Sequence, residues 1–235
     1  MSYLPTMVLG PSSVLARLAA WQDIDARAGA AALRVIGGFR GTVSDGPDLD
    51  GQTVLLLGPR PPDFWPVFAA SPEANDRAPD PMDRWSRRII DGLAQDLSAR
   101  ALYPFGGPPY HPFYDWAIRS GRVHVSPVRL LVGNHDGLWV SFRGALVFGQ
   151  GILVPDSLPH PCQTCSDQPC RVACPPSALN ESGYDVPVCK DFLRRPAGRD
   201  CMASGCGVRA ACPISRESGR DPAQSAFHMQ SFRDP

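Results

Sequence analysis

Apolar residues recur along the first two thirds of the chain with helical and strand periods, and their pattern predicts the elements. Val14, Leu15, Leu18, Ala19 and Ile24 fall at helical spacing, which predicts a helix over residues 13–30 with Ser12 or Ser13 as its cap. Leu33 to Phe39 predicts a short strand ending near Gly41. QTVLLLG (52–58) is a continuous apolar run between turn residues and predicts a buried strand. Pro59, Pro61 and Pro62 stop it, and Asp63 is placed to cap a short helix over FWPVFAAS. Residues 71–81 read as a polar loop containing prolines. From Asp83 to Ala99 the residues Trp85, Ile89, Ile90, Leu93 and Leu97 share one face of an amphipathic helix.

Further strands are predicted at Leu102–Phe105, Arg129–Val132 and Leu138–Phe148, and GGPPYHPFYDW (106–116) leads into a helix ending near Gly121. The order β, β, α, β, α, β, β predicts an α+β domain, a sheet covered by helices. PDSLPHP (155–161) reads as a linker, dividing the chain into a domain over 1–158 and a smaller one over 159–235.

Charge and composition narrow the partners. Lys plus Arg and Asp plus Glu are both 23, so nothing points to nucleic acid or an anionic membrane surface. The N-terminal stretch has no basic region and its apolar run is broken by Pro5 and Pro11, unlike a signal peptide. No apolar run approaches the ~20 residues needed to span a bilayer. These features predict a soluble protein in a reducing, cytoplasmic setting. There is no GxGxxG opening a helix after a strand, so direct nicotinamide binding is not indicated.

All 8 cysteines lie between Cys162 and Pro213. The first four read Cys162-x2-Cys165-x4-Cys170-x3-Cys174-Pro175; the rest are Cys189, then Cys201-x4-Cys206-x5-Cys212-Pro213. This resembles the bacterial two-cluster ferredoxins, whose runs close on Cys-Pro and whose fourth cysteine ligates the other run's cluster. The cross-over plan assigns Cys162, Cys165, Cys170 and Cys212 to one [4Fe–4S] cluster and Cys174, Cys189, Cys201 and Cys206 to the second. The spacing departs from the ferredoxin run by x4 before Cys170 and by wide gaps in the second half. The extra residues around Pro169 and Gly205 are expected to loop out. Two four-thiolate zinc sites and four disulfides are the competing readings. Structural zinc favours paired short knuckles and disulfides favour oxidising compartments, so iron–sulfur is preferred.

An N-terminal α+β domain joined to a two-cluster module resembles epoxyqueuosine reductases and corrinoid-dependent reductive dehalogenases. The resemblance implies a nitroreductase-like sheet-and-helix domain that holds a corrinoid, with a flavin as second choice. The stretch NHDGLWVSFRGALVFGQGILVPDSLP (134–159) is similar to the cobalamin-processing decyanase and dealkylase family, at His135, Gly137, Trp139, Arg143 and Gly144. Gly-Gly-Pro-Pro (106–109) stands about where epoxyqueuosine reductases carry an acidic proton donor, so that reaction is not expected.

The candidate catalytic residues are Tyr110, His111 and Asp115, in the densest aromatic and ionisable cluster, and His135 in the turn NHDG. Each has a plainer role, as an aromatic helix start packed on the sheet or as a turn residue. Trp139 and Arg143 are the candidate cofactor contacts. Trp139, like Phe142 and Phe148, also fits the core, and a buried arginine needs either a bound anion or an internal aspartate. Arg194, Arg195, Arg199 and Arg209 flank the cysteines, where they would screen thiolates or dock a negatively charged donor. The expected function is an iron–sulfur oxidoreductase passing electrons from an external donor of reduced ferredoxin or flavodoxin type to a cofactor or small-molecule substrate. The alternatives are an electron carrier with a non-catalytic docking domain and a zinc-stabilised binding protein.

Overall fold

The computed structural model describes residues 22–149 and 151–234. The first half of the helix expected over 13–30, with Val14, Leu15, Leu18, Ala19 and its capping serines, therefore lies outside the described residues. Residues 22–30 are helical (α1) and bury Ile24 and Ala28.

Four antiparallel strands form the main sheet: β1 (Leu33–Arg40), β2 (Thr53–Pro59), β3 (Arg100–Leu102) and β6 (Gly144–Phe148), in the order β1-β2-β6-β3. The continuous apolar run of β2 has a direct cause. Leu55 and Leu57 face one core with Leu146 and Phe148, while Val54 and Leu56 face the other with Ala145 and Val147. Alternate residues thus enter opposite cores, and no position of β2 meets water.

On the first face lie α1, α2 (Phe64–Ala69) and α4 (Pro81–Asp96), with Phe64 edge-on to Trp85. Asp63 precedes α2 but its side chain makes no capping hydrogen bond. The stretch 71–81 holds a short helix, α3 (Pro72–Asn75), which the polar composition concealed; Ser71 caps it by accepting the Ala74 amide. On the second face α5 (Phe113–Arg119) buries Phe113, Trp116 and Ala117. A hairpin follows, β4 (Val123–Val125) paired with β5 (Leu131–Gly133). Its first strand was not expected, because three residues between Gly121 and Pro127 leave too little periodicity to read.

The strand expected over Leu138–Phe148 is a second correction. Only Gly144–Phe148 joins the sheet, and residues 138–143 run as turn and irregular backbone towards the cysteine-rich segment. That segment carries β7 (Leu179–Asn180), β8 (Gly183–Tyr184), α6 (Val186–Leu193), α7 (Arg199–Ser204), α8 (Gly207–Ala211), α9 (Pro213–Glu217) and α10 (Pro222–Arg233). It docks through a third core in which Val128, Val132 and Leu138 meet Cys170, Leu179, Val208 and Cys212. α10 packs along α7 and sends Phe227 between Trp65 and Phe68 of α2, so the tail of the chain returns to the first face of the sheet domain. Among the described residues no helix is long and apolar enough to cross a membrane.

Candidate functional site

All eight cysteines are free thiols, and they separate into two groups of four. Cys162, Cys165, Cys170 and Cys212 line one cavity of about 190 Å³, closed by Pro127, Val132 and Leu138 from the hairpin side. Cys174, Cys189, Cys201 and Cys206 line another of about 260 Å³. Sequence neighbours part company: Cys170 and Cys174 are four apart in the chain yet serve different cavities, while Cys212 joins a group about forty residues before it.

Short local elements aim these thiols. Cys162 and Cys170 ride on single 3-10 turns that begin with Pro161 and Pro169. Proline suits a first helical position because the amide it lacks has no partner there anyway. Cys189 lies on α6 and Cys201 on α7, and Cys206 and Cys212 flank α8. The residues expected to loop out do not. Pro169 lines the first cavity, and Gly205 is buried where an added Cβ would stand 2.8 Å from the Trp139 ring. Gly137 is similarly constrained, at φ +55° with a would-be Cβ 3.0 Å from the Cys212 sulfur. Its neighbour Leu138 donates its amide to Ser215 Oγ at 2.8 Å, fastening the turn to α9.

Electrostatics follow the same partition. Burial pushes the Cys162 thiol up to about 11, helped by Cys170, Cys212 and Cys165. Burial likewise raises Cys189, with Cys206, Cys174 and Cys201 adding to it against a hydrogen bond from the Tyr184 hydroxyl. Burial and the repulsion of neighbouring thiolates raise Cys162, Cys170, Cys189 and Cys201, and a cation that replaces their protons relieves both, which is how thiolate sites couple to metal. Backbone amides support the sulfurs: Leu179 donates to Cys174 Sγ at 3.4 Å. No three His, Cys, Asp or Glu side chains among the described residues converge closely enough to hold a single metal ion.

The larger cavity extends beyond its thiols. Trp139, Arg209, Arg220 and His228 share its wall. Arg220 lies 5.3 Å from the Trp139 ring centroid and donates to Ser225 Oγ at 3.1 Å. Burial, then repulsion from Arg209, hold Arg220 down at about 10. Burial and the cations Arg220, Arg143 and Arg209 keep the His228 imidazole neutral, at about 3. Arg209 and Arg220, on a wall that carries no carboxylate, favour an anionic occupant. Arg220 and His228 carried no signal in the sequence, since the mixed polar face of α10 offers no period that singles them out.

The other predicted residues are scattered. Tyr110 and Asp115 are exposed and His111 stacks on Trp116, and none of the three lines a cysteine cavity. His135 is exposed at the tip of the tight turn that pairs Gly133 with Gly137. Trp139 is half-buried against the second cysteine group. Arg143 precedes β6 rather than lying within a strand; its partners are internal, Asp83 and Ser86 of α4, so an aspartate neutralises it. Of the flanking arginines, Arg209 reaches the second cavity, and Arg194, Arg195 and Arg199 are exposed. No family model, curated protein or solved structure matches the chain.

Proposed function

We propose that the chain is an iron–sulfur oxidoreductase whose two cysteine groups hold two [4Fe–4S] clusters. The observation that carries this reading is the partition of eight thiols into two separate four-cysteine cavities, with the closing Cys-Pro cysteine of each run crossing to the other group. Such clusters, when bound, supply single-electron transfer. The chain's own residues orient the thiolates, exclude water with Leu138, Val132 and Phe192, and donate a backbone amide hydrogen bond to sulfur. Arg209 and Arg220 offset the negative charge that four thiolates bring to the second cavity.

The finer architecture belongs to this proposal: a nitroreductase-like sheet domain followed by a small two-cluster ferredoxin-like module in a cytoplasmic protein. A corrinoid or flavin would meet Trp139, which faces the second cavity, whereas Arg143 is already paired. Electrons would come from a reduced ferredoxin or flavodoxin type of donor and pass to that cofactor or to a small-molecule substrate. A second reading, an electron carrier, is favoured by one observation: Tyr110, His111, Asp115 and His135 do not converge on either thiol group.

Titration of anaerobically purified protein with dithionite, with and without added cobalamin or flavin, tests the proposal. Reversible bleaching of a broad visible band supports the clusters, and a cofactor spectrum that changes on binding supports the reductase over the carrier. A colourless sample with no reducible chromophore would overturn both.

A further inference from the structure

A third cavity, of about 230 Å³, is lined in part by the 133–136 turn and contains no thiol. Its walls come from the start of β1, the α5–β4 connection and the turn itself, and they bring together Arg34, Arg60, Arg122, Asn134, His135 and Asp136. Three arginines face two aspartates, Asp25 and Asp136. Arg60 and Asp25 satisfy each other, with Arg60 Nη2 2.9 Å from Asp25 Oδ2. Arg34 pairs with Asp136. That leaves Arg122, which donates only to carbonyls, of Ile36 at 3.1 Å and Asp156 at 2.9 Å. Among the described residues it has no carboxylate at ion-pair distance.

Two buried polar atoms of the residues that line it lack a partner among the described residues, and they are of opposite kind. Arg34 Nε is an unused donor and Asn134 Oδ1 an unused acceptor. The Asn134 amide cannot simply turn round, because its Nδ2 donates to the Pro159 carbonyl at 3.0 Å. Buried donors and acceptors are costly to leave unpaired, so two of them beside a cation without a carboxylate partner describe a ligand's complement. The volume is below the ~300–1,000 Å³ of drug-sized sites, so the ligand is small.

We infer that this cavity binds a small hydroxylated oxyanion, a carboxylate or phosphate taken by Arg34 and Arg122 whose hydroxyl donates to Asn134. Carboxylates and phosphate monoesters share that chemistry. The inference does not depend on iron, since none of its residues is a cysteine.

Calorimetric titration of the full chain at low salt tests it with four probes: glycolate, glycerol 3-phosphate, acetate and inorganic phosphate. Saturable binding of glycolate or glycerol 3-phosphate is expected, roughly tenfold tighter than the matching probe without a hydroxyl, since a lost hydrogen bond to a buried acceptor is worth about that much. Glycolate binding assigns a carboxylate ligand and glycerol 3-phosphate a phosphate. R122Q should weaken binding by about tenfold or more. H135E, at an exposed position that leaves the core alone, should weaken it as well by repulsion. Superimposable circular dichroism spectra of wild type and variants exclude misfolding as the cause. No saturable heat with any probe, or unchanged binding in both variants, would overturn the site; binding by an iron-free chain would sustain it while contradicting the cluster proposal.

Discussion

Cys170 and Cys174 show at the residue scale how strongly local backbone decides chemistry. A 3-10 turn at Pro169–Arg171 carries Cys170 to the first cavity, while Cys174, four residues on, lines the second. The cross-over plan therefore makes a sharp prediction. Cys212→Ser and Cys206→Ser should each remove roughly half of the bound iron, from different clusters, because each cavity needs its four thiolates. Iron analysis with electron paramagnetic resonance of the reduced variants would separate the two signals; loss of both from each variant would contradict independent sites. Tyr184→Phe removes a hydroxyl that lines the second cavity with Cys189 and favours its thiolate form. With that donor gone, the more negative reduced state loses stabilisation, so the potential of the second cluster should fall, measurable by redox titration. An unchanged potential would mean the phenol does not reach the sulfur.

Among the elements, helix α4 and strand β2 were legible because each carries a long, unambiguous period. Trp85 and Ile90 are buried on the face the sequence marked, and Val54 to Leu57 are buried on both sides of the sheet. The misread segment, 138–143, is apolar for a different reason: Leu138, Val140 and Phe142 serve two separate cores without strand pairing. Apolarity reports burial, and only period reports conformation. The unexpected helix α3 makes its own prediction. It carries Glu73, whose Oε2 accepts from Arg88 Nη2 of α4 at 2.9 Å, and Arg88 holds that carboxyl down at about 2 against an ordinary 4.5. The folded state therefore keeps Glu73 ionised where the unfolded chain takes up a proton. The stability this provides is complete above about pH 4.5 and is lost as pH falls towards 2. Glu73→Gln should flatten that part of an acid-unfolding curve followed by circular dichroism, and an identical slope would show the pair contributes nothing.

Across the whole molecule, the cysteine-rich segment is bolted to the sheet domain at two places. The 133–138 turn reaches α9, and α10 carries Phe227 back to α2. The spacing of the cysteines anticipated their partition into two groups of four. It did not disclose Arg220 and His228, because α10 has no clear apolar face, nor the polar cavity of Arg34, Arg122 and Asn134, whose members are scattered over a hundred residues. Such sites exist only after folding. The resemblance to corrinoid enzymes placed weight on His135 and Arg143, and the fold gives the first a turn tip and the second an internal aspartate.

The central claim is that eight thiols hold two clusters, and metal analysis of anaerobically purified protein tests it most directly. The account predicts about eight irons and eight acid-labile sulfides per chain, as two cubanes require. Zinc without sulfide, or thiols that all titrate free in the native protein, would contradict it.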